Sequence, residues 1–176
     1  MLLNDWSDAT AMAEAVQKKI VSPRELVEAT IREADLTNHK INAIVSQRYE
    51  KALVEAETKD FSDRPFAGVP IFLKDLGQVQ AGEPSTAGSR LFTDFRPKET
   101  DNYVKKLEDL GFLILGRTNT PEFGFKNISD AQIHGSVNLP DDVTRNAGGS
   151  SGGAAALMSS GISPLAPASD GGGSIR

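Results

Sequence analysis

Cysteine is absent from all 176 residues, which excludes a disulfide scaffold, a cysteine-ligated zinc site and a cysteine nucleophile within this stretch. Long apolar runs are absent too, and no segment approaches the roughly 20 apolar residues that span a bilayer. The opening Met1-Leu2-Leu3-Asn4-Asp5 lacks the basic start and apolar stretch of a signal peptide. Basic blocks are missing as well. Lys and Arg number 19 against 24 Asp and Glu, a net charge of -5, which argues against nucleic acid held by charge alone. Histidine is limited to His39 and His134. What remains, 39% hydrophobic and 24% charged residues, is the makeup of a soluble globular protein long enough for one ordinary domain. A cytoplasmic setting is expected.

The first hundred residues read as helices with short connections. Ser7 is placed to cap a helix with Ala9, Met12, Val16 and Ile20 near the 3.6 period. Ser22-Pro23-Arg24-Glu25 is a capping box with Pro at the first helical position, and Val27, Ile31 and Ala34 share one face after it. Residues 49–59 predict another helix burying Ala52, Leu53 and Ala56, with Ala43-Ile44-Val45 a short strand before it. Gly68-Val69-Pro70-Ile71-Phe72-Leu73 and Phe112-Leu113-Ile114-Leu115 read as buried strands. The second follows a helix that starts near Thr100, presents Tyr103, Val104, Leu107 and Leu110, and stops at Gly111. A helix feeding a four-residue apolar strand predicts α/β layering, with a sheet covered on its faces. The expected division is a helical region over about 1–65 and a core portion over about 66–176.

Composition then shifts. Between Arg145 and Arg176 the only charged residue is Asp170, and Gly148 to Ser174 holds half of the 16 glycines. Such a stretch could be a linker, yet Ala154-Ala155-Ala156-Leu157-Met158 is a strong helix former and Pro164-Leu165-Ala166 resembles a strand start. Ordered structure is expected, with glycine where backbone must approach something closely. No Gly-Lys-Ser/Thr follows any glycine run, so a phosphate-binding loop is excluded. Gly148-Gly149-Ser150-Ser151-Gly152 fits the nucleophile-elbow spacing, but that mechanism needs a later histidine. His39 and His134 both precede it and both read as ordinary surface or loop residues, so that mechanism would need a histidine supplied from beyond this stretch. Ser-x-x-Lys is absent as well.

A serine site served by lysine remains. Lys74 ends a strand-like apolar run, where its amine can lose water. To act as a base near neutrality its pKa must fall from about 10.4 by an amount worth roughly 4 kcal/mol. Gly171-Gly172-Gly173-Ser174 is a run of backbone amides with nothing to block them, able to cradle a developing oxyanion.

These residues resemble the amidase signature family. The stretch from Gly148 to Arg176 is similar to its defining signature, with Gly-Gly-Ser-Ser-Gly-Gly and a terminal Gly-Gly-Ser-Ile-Arg. Gly68 to Asp75 resembles its lysine segment, and Gly116-Arg117-Thr118-Asn119-Thr120-Pro121-Glu122-Phe123-Gly124 another shared block. The resemblance implies a mixed β-sheet core covered by helices. It makes Ser174 the nucleophile, Ser150 the bridging serine after a cis peptide from Gly149, and Lys74 the base. The amides of Gly171, Gly172, Gly173 and Ser174 would form the oxyanion hole. Ser151, Asp170 and Arg176 would support the site, and Glu122 would be structural. Gly171 stands where the family more often carries Thr or another side chain. No cofactor or metal is implied. The implied partner is a small-molecule amide, with neither nucleic acid nor membrane, and self-association is left open.

The chain corresponds to roughly the N-terminal third of the family's domain and ends two residues after Ser174. The expectation is therefore a truncated piece, inactive alone. Two other outcomes are carried: the amidase (A-type) subunit of a tRNA-dependent amidotransferase, which frees ammonia from glutamine, and a folded piece without catalysis.

Overall fold

In a computed structural model, residues 8–175 are described. Helix α1 (Ala9–Gln17) is capped by Asp8, whose carboxylate accepts the Ala11 amide at 2.8 Å. Ser7, the expected cap, lies outside the described residues. The helix also stops short of Ile20, which is 66% exposed rather than on the buried face.

The capping box is present as read. Ser22 Oγ accepts the Glu25 amide at 3.2 Å, and Glu25 Oε2 accepts the Ser22 amide at 2.8 Å, opening α2 (Pro23–Ile41). Asn42 ends α2 in the left-handed region (φ 52) and leads into β1 (Ile44–Gln47), shifted one residue past the predicted strand. Helix α3 (Tyr49–Thr58) follows.

Strand β2 (Pro70–Lys74), helix α4 (Asn102–Asp109) and strand β3 (Leu113–Thr118) form a β-α-β unit. Gly111, at φ 100, supplies the stop between α4 and β3. Tyr103 departs from the expected apolar face and is 49% exposed, while Val104 and Leu107 are buried. The sheet order is β1-β3-β2, with β2 parallel and β1 antiparallel to β3, so the sheet is mixed. A short hairpin of β4 (Asp130–Ala131) and β5 (Gly135–Ser136) precedes α5 (Gly152–Ser159). The Ala154–Met158 block is thus helical. Pro164-Leu165-Ala166 forms no strand; prolines at 164 and 167 remove two of the amides that a ladder would need.

Alternation along β2 sends side chains to two cores. Ile71 and Leu73 pack with Met12, Leu26, Val104 and Ile114. Phe72 packs on the other face with Val27, Leu113, Leu115 and Leu157. Lys74 follows Phe72 by two residues, so it leaves the strand on the Phe72 face, where α5 packs against β2.

Gly153 sets how closely α5 approaches the end of β3. A Cβ there would sit 2.5 Å from Asn119 N, 2.7 Å from Asn119 O and 2.8 Å from Ala43 O. Alanine normally stabilises a helix interior by about 1 kcal/mol over glycine. Here the backbone clash reverses the sign, and Gly153→Ala is expected to destabilise the fold by about 1–3 kcal/mol in denaturant unfolding. Unchanged or increased stability would show that α5 does not need this approach.

Candidate active site

Lys74 is wholly buried at the end of β2. Its peptide is held on both sides by side chains: Gln78 Oε1 accepts the Lys74 amide at 2.8 Å, and Arg117 Nη1 donates to Lys74 O at 3.4 Å and to Gln78 O at 2.8 Å. The aliphatic stem therefore runs from a fixed root toward the N-terminus of α5.

There Lys74 Nζ donates to Ser150 Oγ at 2.8 Å and Ser151 Oγ at 2.9 Å. It also reaches Ser169 Oγ at 3.0 Å and Ser169 O at 3.4 Å. Burial pushes the Lys74 pKa from 10.5 down to about 8, with the negative charge of Asp170 working the other way. Ser150 follows a cis peptide bond from Gly149.

Ser174 Oγ stands 3.1 Å from Ser150 Oγ, which donates to it, and 2.6 Å from Ser151 Oγ. The Ser151 amide donates to Ser174 Oγ at 2.8 Å. Ser151 Oγ also donates to Ser169 O at 3.2 Å. Three residues singled out in the sequence, Lys74, Ser150 and Ser174, thus lie in one connected chain, with Ser151 beside it.

Asp170 accepts the Gly173 amide at 2.5 Å and the Ile175 amide at 3.0 Å, folding the glycine loop over its carboxylate. Of the four amides expected to cradle an oxyanion, that of Gly173 is therefore turned to Asp170. The amides of Gly171, Gly172 and Ser174 have no hydrogen bond to another described residue. Gly171 and Gly172 are exposed, and open space lies where their side chains would be. Arg176 lies outside the described residues. Glu122 accepts a hydrogen bond from Ser89 Oγ at 2.6 Å and makes none to Lys74, Ser150 or Ser174.

A cavity of about 380 Å³ opens onto Ser150 and Ser174, with Leu76, Phe123 and Phe125 among its walls. Gly124 keeps that wall thin: a Cβ there would meet Leu76 Cδ2 at 2.7 Å. Among the described residues, no group of three or more His, Cys, Asp or Glu could hold a metal ion, and no helix is long and apolar enough to cross a membrane.

Two features were not visible in the sequence. Ser169 touches the lysine, a contact 95 residues apart in the chain that no spacing rule reports. His134 is no ordinary surface residue: its side chain is 14% exposed and its Nε2 lies 2.9 Å from Thr86 Oγ1. His39 is exposed, as read.

A lipoamidase from Enterococcus faecalis is 43% identical over 174 residues, covering 98% of this chain and 24% of that protein. A 6-aminohexanoate-cyclic-dimer hydrolase from Paenarthrobacter ureafaciens is 38% identical over 173 residues, covering 97% of this chain and 34% of its own length. The crystal structure of a bacterial aryl acylamidase, described as an amidase signature enzyme, superimposes with a TM-score of 0.89 at 38% identity. That match covers 97% of this chain and 37% of the acylamidase. The chain thus spans from 24% to 37% of the length of these relatives. The family model Amidase matches residues 25–176, and the chain belongs to the amidase family.

Proposed function

We propose that the protein hydrolyses a carbon–nitrogen amide bond through an acyl-enzyme on Ser174. The observation that carries this reading is the chain Lys74 Nζ–Ser150 Oγ–Ser174 Oγ, with links of 2.8 and 3.1 Å. Neutral Lys74 takes the proton of Ser150, and Ser150 takes that of Ser174 as its oxygen bonds to the amide carbonyl carbon. Negative charge passes to the carbonyl oxygen, which the amides of Gly171, Gly172 and Ser174 receive. The carbonyl then re-forms as the C–N bond breaks, and the relay runs backwards to give the leaving amine its proton. Water attacks the acyl carbon as its proton follows the same route to Lys74. The bond from that carbon to Ser174 Oγ then breaks, and the proton returns through Ser150 to Ser174 as the carboxylic acid leaves.

Proton counting favours Ser150 over Ser151 as the bridge. Each hydroxyl has one proton to give. Ser151 Oγ is shared with Ser169 O, whereas Ser150 Oγ has Lys74 and Ser174 as its two partners. Asp170 shapes the loop that presents the oxyanion amides.

The cavity favours an amide with an apolar acyl group, because Leu76, Phe123 and Phe125 offer carbon surface, and Lys126, the charged residue that also lines it, is already paired with Asp130 at 3.1 Å. The test is a hydrolysis panel run on the 176-residue chain and on the longest reading frame containing it. Apolar acyl amides are expected to exceed glutamine in kcat/KM by at least about tenfold. Preference for glutamine would favour the amidotransferase subunit instead, and turnover of neither by a folded long form would overturn the hydrolase reading.

A further inference from the structure

Asp75 follows the lysine, yet it plays no part in the relay. Its carboxylate is 1% exposed and turned away from the serines, toward the long connection between β2 and α4. There it accepts the Thr86 amide at 3.0 Å on Oδ1 and 3.2 Å on Oδ2, and Thr86 Oγ1 lies 2.5 Å from Oδ2. His134 Nε2, from the connection between β4 and β5, meets the same hydroxyl at 2.9 Å. The Gly88 amide donates to it at 3.2 Å.

The capacity of that hydroxyl is fully used. A threonine oxygen has one proton to donate and two lone pairs. With a carboxylate at Asp75, the proton goes to Asp75, so His134 must donate from Nε2. The order is His134 Nε2–H to Thr86 Oγ1–H to Asp75 Oδ2. Hydrogen bonds to charged groups in a dry setting are among the stronger ones, and Thr86 is itself 8% exposed.

The same short segment grips the cavity wall. Ala87 O accepts the Phe123 amide at 2.8 Å, and Ser89 Oγ donates to Glu122 at 2.6 Å. Phe123 sits at φ 52, a left-handed conformation unfavourable for a residue with a side chain. It holds that conformation where its ring lines the cavity beside Ser150 and Ser174. At Gly88 a Cβ would lie 2.7 Å from Thr120 O, so the two segments are in backbone contact.

We propose that Thr86 is a positioning residue for substrate binding, its hydroxyl joining Asp75 and His134 and thereby holding the segment that fixes Phe123 at the cavity wall. Lys74 has backbone anchors of its own in Gln78 and Arg117, neither of which bonds the Thr86 hydroxyl. Loss of the Thr86 hydroxyl therefore loosens the wall and leaves the base in place. This separates binding from chemistry.

The kinetic half of the test rests on the amide-hydrolase reading; the spectroscopic half does not. Thr86→Val keeps the side-chain shape and the amide but removes the hydroxyl, and Thr86→Ser restores it. For an apolar acyl amide, Thr86→Val is expected to raise KM about tenfold with kcat within about threefold, and Thr86→Ser to return KM toward the parent value. In nitrogen–proton NMR of the imidazole side chains, His134 should give a slowly exchanging ring N–H signal in the parent and in Thr86→Ser. That signal should vanish in Thr86→Val. With two histidines in the chain and His39 exposed, assignment is direct. An equal fall in kcat with KM unchanged, a serine variant no better than valine, or a ring signal that survives in Thr86→Val would overturn the proposal. If no variant or parent shows amide turnover, the function reading fails, while the ring signal still decides the hydrogen-bond order.

Discussion

Replacing Ser174 by alanine is expected to lower kcat/KM for amide hydrolysis by on the order of 10⁴-fold or more, since losing a nucleophile removes the covalent route and leaves only binding and oxyanion stabilisation. The effect should fall mainly on chemistry, with a smaller cost in folding. Ser174 is half-buried on a loop, and its hydroxyl contacts Ser150 and Ser151 at the open side of the site. The alanine variant leaves the buried Ser151 amide without its acceptor, so a cost of about 1–3 kcal/mol in unfolding is expected, which leaves the protein folded under assay and does not account for the rate loss. Steady-state kinetics and denaturant unfolding on the same preparation separate the two effects. A variant that keeps a tenth of the parent rate would show that another group attacks the carbonyl.

Lys74→Met is expected to cost about 10²–10⁴-fold in kcat, the range that a positioned base contributes. The parent should carry a matching pH signature. Only the neutral amine accepts a proton, and burial brings the Lys74 pKa to about 8. The rate should thus be low in acid, rise through about pH 8 and level off above it. Linkage gives a second, independent sign. In the unfolded chain the lysine keeps its proton to its ordinary value of 10.5, while the folded protein releases it at about 8. Between those values the unfolded state binds more protons, so stability rises with pH over that window and the methionine variant loses the rise. A rate that falls as pH climbs through 8, or a parent whose stability is flat from 8 to 10.5, would contradict a buried lysine base.

The residues of the candidate site were more legible in the sequence than the framework around it. Lys74, Ser150 and Ser174 each lie in a dense local pattern: an apolar strand ending in a cation, and serines flanked by glycines. Ser22-Pro23-Arg24-Glu25 was legible for the same reason, because capping is decided within four residues. Ile20 and Tyr103 were misread because periodicity says which face is apolar but not where a helix stops or how far its partner extends. The mixed pairing of the sheet is a relation between strands up to 74 residues apart, Ile44 with Thr118, and followed only from family resemblance. Thr86 and His134 stayed hidden because 48 residues separate two groups that meet through one hydroxyl. The commitment of the Gly173 amide to Asp170 was equally out of reach, since a glycine run shows that amides are accessible but not which way each points.

The most direct measurement is fluorophosphonate labelling of the longest reading frame containing these residues and of the 176-residue chain, with the site mapped by peptide mass spectrometry and Ser174→Ala as control. Label on Ser174, absent from the alanine variant, is the result that a lysine-driven serine relay predicts. A folded long form that takes no label, or takes it on another serine, would contradict the assignment of Ser174, Ser150 and Lys74.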